Sequence, residues 1–439
     1  MRILHYGLGF PPYRSGGLTR YSVDLAVEQA KNGDQVGLLW PGEINPIKKF
    51  KVKKRGLYQK VQSLEIINPL PVPLDEGIKD VNEFIKSGKQ EVCISFLEQW
   101  KPDVLHIHTL MGLNKEWIDA CKSLKIKTVF TTHDYFGICP KVTLYKNGDV
   151  CDSEDCKDCV ECNKNALSLN KIKILQSPVY RGLKYTKIIQ NLRKKHRKNY
   201  FSDVENYEKK EIKNDKHVFE YRKLRRYYKT ILENIDLIHF NSTVAEQVYK
   251  KYITPKKSIV MSISHKNIRN NNKPKRKRNN KLQITMLAPA KAFKGYLVLI
   301  DALDNLWKEG NRNFILNMYS PIPENREYIR LKEEGFTQEQ LADIFEQTDV
   351  LVAPSVWYET FGFTVLEAMS YGVPVIISNR VGAKDIVGEN GIIVDANDSN
   401  ELKEALQDYD FYAMRENMAD YKVKEWKDFV KENYSNYKD

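Results

Sequence analysis

Short, wholly apolar runs alternate with longer amphipathic stretches through most of this chain. "RILHYGL" (Arg2 to Leu8) precedes the helical pattern "LTRYSVDLAVEQAKNG", which leads into "QVGLLWP". "DVLHIH" (Asp103 to His108), "KTVFTTH" (Lys127 to His133) and "DLIHFNS" (Asp236 to Ser242) repeat the theme. Strands apolar at successive positions are buried on both faces, so these runs predict a parallel, doubly wound sheet flanked by helices. Between His265 and Lys281 the sequence "HKNIRNNNKPKRKRNNK" is polar, basic and without periodicity, as a linker is. Beyond it "QITMLAP", "NFILNMYS", "VLVAPS", "VPVIIS" and "GIIVD" alternate again with helical patterns and predict a second parallel sheet.

The expected organisation is a first domain over residues 1–264, a linker at 265–281 and a second domain at 282–407. Within the first domain fall a cysteine-rich loop at 139–162 and a helical insertion at 168–233. The final segment, 408–439, is rich in Tyr and Lys, holds too few apolar positions for a core of its own, and is expected to pack back across the first domain. Length agrees, since 439 residues exceed what one hydrophobic core organises, and two domains leave a cleft between them. Hydrophobic residues at 42% and charged residues at 29% are those of a globular protein. No apolar run reaches the roughly 18 residues of a membrane span. The opening residues lack the apolar core and cleavage site of a signal peptide, so a cytoplasmic chain is expected.

The stretch "ETFGFTVLE" follows the strand "VLVAPS" and places Glu359 and Glu367 eight positions apart, on a loop and on the helix that leaves it. A strand-loop-helix step at the carboxyl edge of a parallel sheet is where such folds bind ligands. Glu367 is expected in about the first turn of that helix. Two carboxylates facing a cleft can grip vicinal hydroxyls, and backbone N–H groups over Phe361, Gly362, Phe363 and Thr364 would add donors. The alternative is a Glu-capped helix start with an incidental loop glutamate.

With these residues the sequence resembles the retaining glycosyltransferases of family four, which have the GT-B fold of two facing Rossmann-like domains. Their Glu-x7-Glu motif appears here as "ETFGFTVLE", between "TDVLVAPS" and "AMSYGVPVI". The resemblance implies a hexosyltransferase whose nucleotide diphosphate-sugar donor, a UDP- or GDP-sugar, is bound mainly by the second domain. Glu367 would hold the ribose hydroxyls and Glu359 the transferred sugar. The acceptor would be a glycan or a lipid-linked sugar, as in surface polysaccharide or glycolipid biosynthesis. No catalytic metal is implied, because the donor phosphate takes the acceptor proton and the protein positions and stabilises charge.

Other elements fit around that pair. In "APAKAFKGYLVLIDAL" Lys294 stands beside Gly295 at a helix start, where a cation can stabilise a leaving diphosphate. The family pairs this lysine with an earlier arginine, and here Lys291 is the nearest cation. Gly16 and Gly17 in "RSGGLTRYSVDLA" let backbone approach a ligand, and in the resembling family such a loop faces the diphosphate and the acceptor; Arg20 is a further phosphate contact. The resemblance also turns His108 and His133, at two strand ends, toward the sugar as polar contacts. The family's Asn-Gly entering the second domain is replaced by "SISHKN", and its glycine-rich turn after the third strand of the second domain by "MYSPIPEN".

Two features lie outside the sheets. Cys139, Cys151, Cys156, Cys159 and Cys162 carry two overlapping Cys-x-x-Cys pairs, a spacing that fits tetrahedral thiolate zinc or free redox thiols better than disulfides in a cytoplasmic chain. The net charge of +13 is concentrated, with 17 Lys or Arg against 6 Asp or Glu from Arg181 to Thr230. "LRKKHRKNYF" and "YRKLRRYYK" interleave cations with aromatics, as helices do on anionic lipid, and Arg193, Lys194, Lys195, Arg197, Arg222, Arg225 and Arg226 are the expected membrane contacts. A solvated helical face is the alternative. A sugar-nucleotide epimerase would need acid-base groups that Glu-x7-Glu does not supply. A zinc-containing nucleic-acid binder would leave both sheets unexplained, so no nucleic-acid partner is expected.

Overall fold

The computed structural model describes residues 1–14, 16–74, 77–187, 189, 191, 215–271 and 280–438. Its architecture is two doubly wound α/β units, as the alternating pattern predicts. The first sheet has eight strands: β1 (Arg2–Tyr6), β2 (Gln35–Pro41), β3 (Lys51–Tyr58), β4 (Val61–Ile67), β5 (Val104–Ile107), β6 (Lys127–Thr131), β9 (Leu237–Phe240) and β10 (Ser258–Val260). Their order is β10-β9-β6-β5-β1-β2-β4-β3, parallel throughout except for β3, which runs antiparallel to β4. A small antiparallel hairpin of β7 (Tyr145–Lys146) and β8 (Asp149–Val150) stands apart in the cysteine-rich lobe. Central strands β5 and β9 are buried at every position, which is why they read as unbroken apolar runs.

The second sheet contains β11 (Leu282–Met286), β12 (Phe314–Met318), β13 (Ile329–Leu331), β14 (Val350–Ala353), β15 (Val375–Ser378) and β16 (Gly391–Val394), all parallel. Their order, β13-β12-β11-β14-β15-β16, reverses between β11 and β14. Loops leaving those two strands diverge to opposite faces and open a crevice at their carboxyl ends.

The chain end returns to the first domain. The helix Trp426–Asn433 buries Trp426, Phe429 and Val430, and the turn after it inserts Tyr437 beside the first sheet. The Tyr437 hydroxyl accepts from Gln29 Nε2 at 3.0 Å and meets His106 Nδ1 at 2.7 Å. His106 belongs to a buried polar layer: its Nε2 lies 2.7 Å from Thr131 Oγ1, which lies 3.0 Å from His239 Nδ1. His5 joins the layer, with its Nδ1 2.9 Å from His108 Nε2 and its Nε2 2.7 Å from Gln29 Oε1.

Candidate functional site

The loop after β11 and the loop after β14 meet at the switch point of the second sheet. The first makes a turn of 3-10 helix, Ala292–Lys294, and passes through Gly295 into the helix Tyr296–Lys308. Gly295 has φ +80°, and a Cβ there would lie 1.8 Å from the carbonyl oxygen of Pro354. Only glycine permits this approach of the two loops. It places Lys294 Nζ 2.8 Å from Glu359 Oε1, with the ammonium 4.7 Å from the centre of the Trp357 ring. Ser355 Oγ donates to the other Glu359 oxygen at 2.8 Å. Burial pushes the Glu359 carboxyl up, but Lys294, Ser355 and Trp357 together outweigh it and hold the carboxyl below its ordinary value. Gly295→Ala is expected to cost about 2 kcal/mol or more, since the added carbon forces the loops apart in a strained φ region, and calorimetry would show the lowered Tm.

Glu367 is the fifth residue of the helix Phe363–Ser370, beyond the first turn expected for it, so its surroundings owe more to side chains than to helix-end N–H groups. Its Oε1 accepts from Gln338 Nε2 at 3.1 Å and lies 3.1 Å from His265 Nε2 and 3.8 Å from Arg20 Nη1. Arg20 also donates to Gln338 Oε1 at 2.8 Å. The Arg20 contact crosses from the first domain to the second. Gly17 lies against the same helix start, where a Cβ would stand 3.4 Å from the Phe363 ring, and neighbouring Gly16 has φ +110°. The glycine loop and the Glu-x7-Glu segment therefore face each other, with Gly362 (φ +102°) turning the chain into the helix and Phe361 anchoring it in the core. Ser242 Oγ donates to the Thr360 carbonyl at 2.6 Å, and Thr360 Oγ1 donates to the His133 carbonyl at 3.1 Å, closing the first domain onto this loop. Thr364 is half-buried in the first turn, and Lys291 sits 5.2 Å from the Phe293 ring beside Lys294.

The two histidines differ in exposure, although their rings lie 5.7 Å apart. His133 is half-buried at the rim, with its ring 4.5 Å from that of Tyr21, and burial holds its pKa down to about 3. His108, expected to face the sugar, is wholly buried and bonded to His5, so it belongs to the internal polar layer one step behind the cleft. Asp134, next to His133, is half-buried. Burial pushes its carboxyl up to about 6, against hydrogen bonds from the Phe136 amide and the Thr109 hydroxyl.

The structure does not assemble the expected zinc site. Among the described residues, the group of three or more metal-capable side chains with ligand atoms within 4.8 Å is His5, His106 and His108, not the cysteines. Both nitrogens of His5 and of His106 already have hydrogen-bond partners, so that trio is a network rather than a metal cage. In the cysteine lobe the Arg225 guanidinium lies among the loop carbonyls, beside Cys156. Arg225 donates to the carbonyls of Ile138 at 2.7 Å and Ser153 at 2.9 Å, and lies 3.5 Å from Cys156 Sγ. The hydrogen bond from Cys159, and then the charge of Arg225, hold the Cys156 thiol down to about 6 despite its burial. Cys139 and Cys162 are pushed up by burial, and Cys151 is half-buried at the end of the β7–β8 hairpin. The lobe leans on the second domain beside Glu359: Arg380 Nη1 donates to Asp149 Oδ1 at 2.5 Å, and the Tyr145 and Phe293 rings lie 5.9 Å apart.

The basic helices change meaning too. Arg193, Lys194, Lys195 and Arg197 lie outside the described residues. On the helix Asp215–Asn234, Val218, Tyr221, Leu224, Tyr228 and Leu232 form the buried stripe, and Arg225 falls on it at helical spacing. Arg222 donates to the Asp155 carbonyl at 2.9 Å, and of the three expected contacts here only Arg226 is turned outward without a partner in the lobe. This helix pins the cysteine lobe through Arg225, while Arg222, Lys223, Arg226 and Lys229 stay exposed on its other side.

Two family models match the chain. Residues 15–148 match one described as Glycosyltransferase Family 4, and residues 282–409 match one described as Glycosyl transferases group 1. The O-antigen chain mannosyltransferase B of Escherichia coli is 34% identical over 106 residues, 23% of this chain and 28% of that protein. A D-inositol 3-phosphate glycosyltransferase of Paenarthrobacter aurescens is 39% identical over 83 residues, 18% of this chain and 20% of that protein. The aligned part is thus under a third of either relative. Among solved structures, a sucrose-phosphate synthase from Thermosynechococcus elongatus superposes with a TM-score of 0.55 at 14% identity, covering 100% of this chain and 98% of that one. The Anabaena protein HepE, in complex with UDP and glucose, superposes with a TM-score of 0.53 at 13% identity, covering 99% of each chain. The fold is GT-B, and both domains carry glycosyltransferase-family sequence. No helix among the described residues is long and apolar enough to cross a membrane.

Proposed function

We propose that this chain, a GT-B protein, is a retaining glycosyltransferase that moves a hexosyl group from a UDP- or GDP-sugar to a glycan or lipid-linked acceptor. The observation that carries this reading is the Lys294–Glu359 pair at the switch point, set beside Glu367 and opposite the Gly16–Gly17 loop and Arg20. HepE, whose structure holds UDP and glucose, has the same fold over its whole length, which supports a nucleotide-sugar donor. In this reading the Glu367 carboxylate accepts hydrogen bonds from two vicinal ribose hydroxyls, which replace Gln338 and Arg20 as its partners. Arg20 is then free to turn to the diphosphate. Lys294 stabilises the charge that develops on the leaving phosphate, and Glu359 orients the sugar by accepting from its hydroxyls. The bond from the anomeric carbon to the phosphate oxygen breaks, the acceptor oxygen bonds on the same face, and the acceptor proton passes to the departing phosphate oxygen. The acceptor enters from the first domain, past His133. Metal chemistry is given no part in this scheme.

The roles of the two glutamates separate experimentally. Glu367→Ala is expected to weaken binding of bare UDP or GDP by about 1.5–3 kcal/mol, the range for a lost charged hydrogen bond. Glu359→Ala should leave nucleotide affinity near the wild-type value and lower turnover. Titration calorimetry with the nucleoside diphosphate, paired with a donor-consumption assay, measures both. Equal losses of nucleotide affinity in the two variants would refute this division.

A further inference from the structure

Among the described residues, charge and exposed apolar surface coincide at one place, away from the helix Asp215–Asn234. Residues 45–60 contain seven Lys or Arg and residues 171–187 contain five, and neither segment has an Asp or Glu. Of thirteen large apolar side chains exposed among the described residues, seven lie in these same segments. Ile47 is 93% exposed, Leu57 73%, Val179 69% and Ile174 61%. The segments are neighbours in space. Glu65 of β4 is buried between them, accepting from Arg55 of the edge strand β3 and, at 2.6 Å, from Arg181 of the helix Pro178–Leu183. Lys53 stands opposite Glu65 in the β3–β4 ladder, so it shares that face of the sheet.

Glu65 and Glu43 neutralise the inner cations Arg55, Arg181 and Lys48. Lys49, Lys51, Lys53, Lys54, Lys171 and Lys187 remain exposed around them. A cavity of about 280 Å³ opens on the edge strand, lined by Lys48, Lys51, Lys53 and Lys54 with Val52 and Ile67.

We infer that this β3 edge, with the helices Leu169–Leu175 and Pro178–Leu183, is a docking surface for an anionic phospholipid bilayer. Charge complementarity selects the occupant. A nucleic acid would engage the lysines but leave Ile47, Leu57 and Val179 in water. A second copy of the chain would bring the same excess of positive charge to a self-complementary interface. A bilayer takes both, apolar side chains into the acyl boundary and lysines onto the phosphates, with the lysine cavity sized for a headgroup. The face borders the cleft, because Arg181 and Lys184 both stack on the Tyr13 ring, just ahead of the Gly16–Gly17 loop. That link to a membrane-held acceptor rests on the glycosyltransferase reading, but the surface does not.

The test is co-sedimentation of the whole protein with vesicles of pure phosphatidylcholine, or with about one-third phosphatidylglycerol, at about 50 mM and about 500 mM salt. The wild type is expected to bind only the anionic vesicles, and best at low salt. At about fivefold per cation near such a surface, the triple variant Lys51→Gln, Lys53→Gln, Lys54→Gln should partition about a hundredfold more weakly. Ile47→Asp with Val179→Asp should also reduce binding. A control removing three exposed cations from the helix Asp215–Asn234 (Lys223→Gln, Arg226→Gln, Lys229→Gln) should bind within about threefold of wild type. Equal loss in the control, equal binding to neutral vesicles, or capture of single-stranded RNA with no vesicle binding would each overturn the proposal. UDP-dependent thermal stabilisation of the same variants reports on the donor site separately, so its absence would count against the transferase reading and leave the vesicle result standing.

Discussion

Lys294→Met is expected to lower turnover by about two to three orders of magnitude, the largest catalytic loss of any single change in the site. The lysine is 17% exposed, fixed between Glu359 and the Trp357 ring, and set by a glycine turn that tolerates no side chain. In the proposed reaction a cation so held needs no reorganisation when charge develops on a leaving phosphate. The substitution has a second consequence. It leaves the Glu359 carboxylate without its counter-ion in a site where only 21% of that side chain reaches solvent. Stability should then fall by about 1–3 kcal/mol, the cost of an unpaired buried polar group. The two effects are separated by the double variant Lys294→Met with Glu359→Gln, in which no charge is stranded. Its Tm should return toward the wild type while turnover stays low. If the double variant recovered activity, Lys294 would be a mere counter-ion for Glu359 and not a group acting on the donor.

Where apolar runs are buried on both faces, the sequence reveals the fold directly. "VLVAPS" and "VPVIIS" become adjacent central strands, and the glutamate loop emerges at their carboxyl ends. The edge strand β3 leaves no such trace, because "KVKKRGLY" is exposed at nearly every position and is held by its ladder with β4 and by Glu65. Its exposed lysines are likewise hidden within the whole-chain charge. Arg225 shows the opposite error. Reading "YRKLRRYYK" as a cationic face treats every arginine alike, whereas the spacing Val218, Tyr221, Arg225, Tyr228, Leu232 puts one of them on the buried stripe.

Contacts distant along the chain explain the rest. Arg20 and Glu367 meet across the domain boundary, and nothing local to either announces the other. His265 had a signal, since "SISHKN" stands where the resembling family carries Asn-Gly, and the structure puts that histidine beside the Glu367 carboxylate. Around the Cys-x-x-Cys spacing, Cys156 occupies the N-cap of the short helix Lys157–Cys162 in a left-handed conformation, and the Cys159 amide donates to its carbonyl at 3.1 Å.

Stability should fall steeply as pH drops from 7 to 5, and the buried histidines are the reason. Burial holds His5 and His239 down to about 4, against the partial support of Gln29 and of the Met261 carbonyl respectively. It also drives His106 and His108 well below their ordinary value, with neighbouring imidazoles adding repulsion. A histidine whose pKa is depressed by folding takes up its proton in the unfolded chain first. Its contribution is complete above the unfolded value of about 6.5 and is lost as pH falls toward the folded value. At pH 5, His5 and His239 alone would each forfeit about 2 kcal/mol. Asp134 works the other way: its folded carboxyl titrates near 6, so it gains about 1 kcal/mol over the same interval. A net loss of about 3 kcal/mol is expected before His106, His108 and His133 are counted, a large share of a domain's 5–15 kcal/mol. Urea unfolding at pH 7.5, 6 and 5 measures the slope. His5→Asn keeps a hydrogen-bonding side chain but removes one titrating ring, and should flatten the profile by about 2 kcal/mol across that range. Because Tyr437 is hydrogen-bonded to His106, the chain end should be the first part to leave, seen as faster amide exchange over residues 426–438 at pH 5. A urea midpoint that holds steady or rises on going to pH 5 would mean that these rings are not kept neutral by the fold.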